Sequence, residues 1–91
     1  MTRTLMTLNP DAKIWSDEAG FHVDVRPVLF NGGEPFSCVV NCANQLVAGD
    51  SLIIHTPFEA KPLVNQLVKM GFEPLVKKEI DMDHWTVLIK K

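Results

Sequence analysis

Phe21-His22-Val23-Asp24-Val25-Arg26-Pro27 is the stretch on which the fold turns. Phe21, Val23 and Val25 alternate with His22, Asp24 and Arg26, the period of two expected of a strand with one buried face, and Pro27 ends it. Asn31-Gly32-Gly33 follows as a loop, and Pro35 sits where a first-turn proline forfeits no helical hydrogen bond. Phe36, Val39, Val40, Ala43, Leu46 and Val47 then recur at three- and four-residue steps, which predicts a helix with one apolar stripe, stopped by Gly49.

Further along the chain, Leu52 to Ile54 is apolar and bounded by Gly49-Asp50 and Pro57, so it reads as a second strand. Thr56-Pro57-Phe58-Glu59 has the spacing of a capping box, and Pro62 opens a second helix. Leu63, Val64, Leu67, Val68 and Met70 form that helix's apolar face, and Gly71 closes it. Residues 74–80 and 84–90 form two further strands, joined as a hairpin through Asp81-Met82-Asp83. Residues 1–20 show no sustained period and read as an N-terminal extension anchored by Trp15, ahead of a domain spanning 21–91. The predicted order is β-α-β-α-β-β. Right-handed crossovers put both helices on one side of the sheet if the second strand lies beside the first and the chain keeps moving across it, giving a two-layer α+β sandwich.

Composition narrows the function classes. At 91 residues the chain holds one core, and 46% hydrophobic residues suffice to fold it. A net charge of -2 provides no positive field for a phosphate backbone, so nucleic acid is not an expected partner. No apolar run nears the ~20 residues that span a bilayer, and residues 1–8 lack the apolar core of a signal peptide. The expectation is a cytoplasmic protein off the membrane, with Cys38 and Cys42 as reduced thiols.

Val23-Asp24-Val25-Arg26, Gly33-Glu34-Pro35-Phe36, Gly49-Asp50-Ser51-Leu52, Thr56-Pro57-Phe58-Glu59, Lys61-Pro62-Leu63, Gly71-Phe72 and Asp83-His84-Trp85 occur in an order and spacing that matter together. They resemble a family of small bacterial domains related to the TusA/SirA-like sulfur carriers, over residues 21–91. The resemblance implies a mixed four-stranded sheet in spatial order 1-2-4-3, with the last strand antiparallel to the others. In those carriers a Cys-Pro-x-Pro motif opens the first helix, where the helix dipole stabilises a thiolate. Here Gly32 stands at the cysteine's position, so sulfur transfer does not carry over.

Four sets of residues remain as candidates. Gly32, Gly33 and Glu34 precede a helix N-terminus, and Arg26 offers a nearby cation, so a small anionic ligand is one expectation. Neither a Gly-x-Gly-x-x-Gly nor a Walker pattern is present, and no cofactor is expected. Cys38 and Cys42, spaced i, i+4 on one helix, form the sulfur-transfer or thiol-redox alternative, although packing as small hydrophobes explains them as well. Strand parity puts His22, Asp24, Ile53, His55, His84, Thr86 and Leu88 on the uncovered sheet face. With the strand order that the resemblance implies, His55 and His84 lie close, giving a metal-binding alternative that falls short of the four ligands of structural zinc, while His22 sits at the far end of its strand. Ile53 and Leu88 on that face suit a protein partner, self-association or cover by residues 1–20. A non-catalytic binding or adaptor module is the leading expectation.

Overall fold

In the computed structural model, residues 4–7, 9–80 and 83–91 are described. Five strands and three helices follow in the order β1 (Lys13–Asp17), β2 (Gly20–Asp24), α1 (Arg26–Phe30), α2 (Phe36–Asn44), β3 (Ser51–Thr56), α3 (Lys61–Lys69), β4 (Leu75–Lys78) and β5 (Trp85–Lys90). The class is α+β, with one mixed sheet in the order β1-β2-β3-β5-β4. β2 and β3 are parallel, and the other three pairs are antiparallel. Two expectations are corrected here: the sheet has five strands rather than four, and there are three helices rather than two.

The added strand comes from the first twenty residues. β1 turns into β2 through a two-residue loop, in which an Asp17 side-chain oxygen accepts a hydrogen bond from the Ala19 amide at 2.8 Å. Gly20 closes the turn at φ 128°, and a Cβ there would sit 2.8 Å from the Ser51 carbonyl oxygen on β3, so no side chain fits. Leu5 and Ala12, also from this region, are buried in the common core. The added helix, α1, is a single short turn holding Val28 against that core.

Register explains why one face is a core. Val23, Ile54 and Val87 lie side by side across β2, β3 and β5, as do Phe21, Leu52 and Ile89. Against them pack Cys38, Val39, Cys42 and Ala43 of α2 with Leu63 and Leu67 of α3. Each of these residues is at most 2% exposed except Phe21, which is half-buried, so apolar burial, worth about 25 cal/mol per Å², drives this layer together.

Helix ends depart from the predicted punctuation in two places. α2 ends at Asn44, and Gly49 lies in the turn leading into β3; Val47 is exposed, outside the apolar stripe assigned to it. Thr56 does not cap α3: its hydroxyl donates to the Phe58 carbonyl at 2.7 Å, and α3 starts after Ala60 with no side-chain cap. Gly71 does terminate α3. At φ 97° it donates to Val68, and Phe72 donates to Leu67, the paired bonds of a Schellman motif. In the β4–β5 hairpin, Asp81 and Met82 lie outside the described residues. No helix among the described residues is long and apolar enough to cross a membrane.

Candidate functional site

The sheet face away from the helices carries a row of aromatic rings that crosses four strands' worth of sheet. β1–β2 pairing sets Trp15 opposite His22. Parallel β2–β3 pairing sets His22 opposite Ile53, and so two residues from His55. His84, just before β5, is likewise two residues from Thr86, the partner of His55. Diagonal neighbours at this offset are within reach of large side chains. His22 is therefore not remote from the other histidines, as expected from the sequence, but bonded directly to one of them.

The contacts form a continuous chain. His22 Nδ1 lies 2.9 Å from His55 Nε2, and His55 Nδ1 lies 2.8 Å from His84 Nε2. At the other end, the buried His22 Nε2 is 2.9 Å from Oδ2 of half-exposed Asp17, close in distance but oblique for a linear hydrogen bond. Trp15 stacks on His22 at 4.8 Å between centroids and 8° between planes, and on His55 at 5.1 Å. His22 and His55 are each only 9% exposed.

Asp17 fixes the polarity of this chain. A carboxylate only accepts, so the ring nitrogen facing it, His22 Nε2, carries a proton. With neutral rings, His22 Nδ1 then accepts from His55 Nε2, and His55 Nδ1 accepts from His84 Nε2. Every N–H points toward Asp17. The His22 contact in turn holds the Asp17 carboxyl below its ordinary range, with help from the Ala19 amide. Burial first, then the neighbouring His22, His84 and Arg26 charges, push the His55 pKa from 6.5 down to about 4, against the opposing pull of Asp24.

Beside this row the same face sinks into a hollow of about 380 Å³. Its walls are His22, His55, Ile53, Leu75 and Leu88, with Thr86 among them, and Lys77 and Glu79 stand at the same hollow. The latter two pair at 3.7 Å.

The other candidates are placed elsewhere and are already engaged. Arg26 grips Asp24 through two nitrogens, Nε at 2.9 Å and Nη2 at 2.7 Å. Burial pushes the Asp24 carboxyl up, but the bonds and charge of Arg26 outweigh it and hold it low. At the α2 N-terminus, where an anion was expected, Glu34 supplies its own carboxylate: it accepts from the Ser37 hydroxyl at 2.6 Å, from the Ser37 amide at 3.2 Å and from the Phe36 amide. Gly33 packs against Val28 and Asn9 rather than framing a pocket. Cys38 and Cys42 are free thiols buried under α2, at 2% and 0% exposure. Burial, then the adjacent Cys38, raises the Cys42 thiol to about 11.

His55 and His84, the metal alternative, point nitrogens at each other across a hydrogen-bond distance, and the two nitrogens of His55 face opposite neighbours instead of converging on one point. Among the described residues no group of three or more His, Cys, Asp or Glu is arranged to hold a metal ion. Sequence reasoning found the shared face of the histidines and named Trp15 as the anchor of residues 1–20, with cover of that face by those residues as one expectation, but it missed the strand that stacks Trp15 on the histidines and it missed Asp17. The signal available was the alternation in Lys13-Ile14-Trp15-Ser16-Asp17 followed by a Glu18-Ala19-Gly20 turn.

No protein-family model, curated protein or solved structure matches the chain.

Proposed function

We propose that the protein is a non-catalytic binding module, related to the TusA/SirA-like domains, that takes a small ligand in the hollow on its open sheet face. The observation that carries this reading is the Asp17–His22–His55–His84 chain, two of whose rings, His22 and His55, line that hollow. Both nitrogens of His55 and Nδ1 of His22 are bonded to another imidazole, and His22 Nε2 is buried beside Asp17, so neither ring exposes a nitrogen as a general base toward a bound molecule. A rigid floor of paired strands with apolar walls and few polar groups has the form of a ligand site. Gly32 in place of the carriers' cysteine, and the burial of Cys38 and Cys42, weigh against sulfur transfer and thiol redox chemistry.

A protein partner or second copy at the β4 edge is the second reading, favoured by the exposure of Leu75, Val76 and Ile80 there. Lys77 and Lys78 on the same segment blunt that edge against open-ended strand pairing.

Amide shift mapping with indole and with benzoate separates the sites. The expected result is that at least one of the two moves Ile53, Thr86 and Leu88 together, and that Leu88→Glu weakens that binding at least tenfold. Shifts confined to residues 32–37, or shifts along β4 that track protein concentration without any probe, would refute the hollow as the site.

A further inference from the structure

The hydrogen-bond inventory of the hollow constrains the chemistry of its occupant. Two of its residues, His22 and His55, look like donors and acceptors for a polar ligand. Three of their four nitrogens are spent, His22 Nδ1 and His55 Nε2 on each other and His55 Nδ1 on His84; the fourth, His22 Nε2, is sealed from solvent 2.9 Å from Asp17 without the geometry of a hydrogen bond. A ligand that needed a hydrogen bond from either ring would have to break a contact of 2.8–2.9 Å inside a buried row, leaving the displaced partner unsatisfied, or reach past the groups that cover His22 Nε2. What both rings present to the hollow is therefore apolar ring surface, continuous with Ile53, Leu75 and Leu88.

Charge at the hollow cancels. Lys77 and Glu79 are opposite in sign and 3.7 Å apart, with the lysine side chain 74% exposed and the glutamate 29%. Paired with each other, they leave neither an unopposed cation nor an unopposed carboxylate among the residues of the hollow. Asp24, the remaining acid near His55, is held by Arg26. Thr86, a residue 8% exposed, then carries the single uncharged side-chain hydrogen-bonding group of the lining not committed to the histidine chain.

We infer that the hollow selects a small, uncharged, largely apolar molecule with no more than one hydrogen-bonding group, which it directs to the Thr86 hydroxyl. A volume of about 380 Å³ is near the lower end of the range for small-molecule sites and suits a two- or three-ring or short-chain compound. This inference rests on the hollow being the binding site, and its test is built to fail separately from that reading.

N-phenyl-1-naphthylamine and its 8-sulfonate share one apolar body and differ by a single negative charge. Titrated at pH 7 and followed by probe fluorescence, the neutral compound is expected to bind one site per chain at least tenfold more tightly than the sulfonate. Leu88→Glu should reduce neutral-probe affinity at least tenfold. Leu75→Glu, at a 65% exposed position where the fold tolerates a charge, should reduce it severalfold, and Lys77→Ala should leave it within a factor of two. Equal or tighter binding of the sulfonate, weakened by Lys77→Ala, would overturn the neutral-ligand inference while leaving the hollow as a site. Failure of both probes to bind, or binding untouched by both glutamate variants, would overturn the inference and the site together.

Discussion

Lowering the pH from 7 to 4.5 is expected to remove roughly 2–3 kcal/mol of folding stability, with most of the loss assigned to His55. The unfolded chain takes up a proton at this residue near its ordinary value of 6.5, whereas the folded chain resists until about 4. Between those values the unfolded state binds more protons, so stability rises with pH through the window and levels off above it. The groups that face the ring set the sign: burial together with His22, His84 and Arg26 disfavours the imidazolium, and Asp24 alone favours it. The carboxyls held low in the fold, Asp17, Asp24 and Glu34, contribute stability that is lost only below the usual carboxylate range, outside most of this window. Urea unfolding at pH 7, 5.5 and 4.5 measures the effect. The His55→Phe variant should be less stable at pH 7, because it breaks two contacts, yet show a much flatter dependence on pH. A flat wild-type profile, or a slope that survives in the variant, would mean that His55 is not buried as described.

The second large effect concerns the thiols. At pH 7 a thiol raised to about 11 holds a thiolate fraction of only about 10⁻⁴, and Cys42 is fully buried besides. Iodoacetamide should therefore label the native protein at least a thousandfold more slowly than the same protein in 8 M urea, with a rate governed by opening of the fold. Labelling of Cys38 or Cys42 within minutes in the folded state at neutral pH would restore the thiol-redox reading. It would also mean that α2 does not pack its Cys38–Cys42 face on the sheet.

The elements that could be read in the sequence are those whose burial alternates or recurs. Val23, Leu52, Ile54, Val87 and Ile89 announce strands because one side of each is sealed by helices, and Gly71 announces a helix end because the Schellman turn needs its positive φ. β1 escaped because it is an edge strand with only Ile14 partly buried, so its alternation carries little hydrophobic contrast. α1 escaped because five residues are too few to show a helical period. Parity along single strands placed three histidines on one face, but the distance between them depends on register, and register between parallel strands is fixed by the whole hydrophobic set rather than by a local turn. For the same reason the partners of Trp15 and the part played by Asp17 stayed hidden: they are read only once β1 is known to pair with β2. The anion pocket suggested by Gly32-Gly33 was a sound reading of the backbone that left out Glu34, whose side chain folds back onto the amides an anion would need.

The ordered imidazole chain on the open face is the feature from which the pH response, the ligand chemistry and the non-catalytic assignment all descend. Long-range ¹⁵N–¹H correlation of the histidine rings at pH 7 tests it most directly. The prediction is that His22 and His55 each hold a single tautomer with the proton on Nε2, with scalar coupling visible across the bond between His22 Nδ1 and His55 Nε2, and that Asp17→Ala releases the fixed tautomer. Rings that average both tautomers in the wild-type protein, or that do not respond to loss of Asp17, would contradict the account.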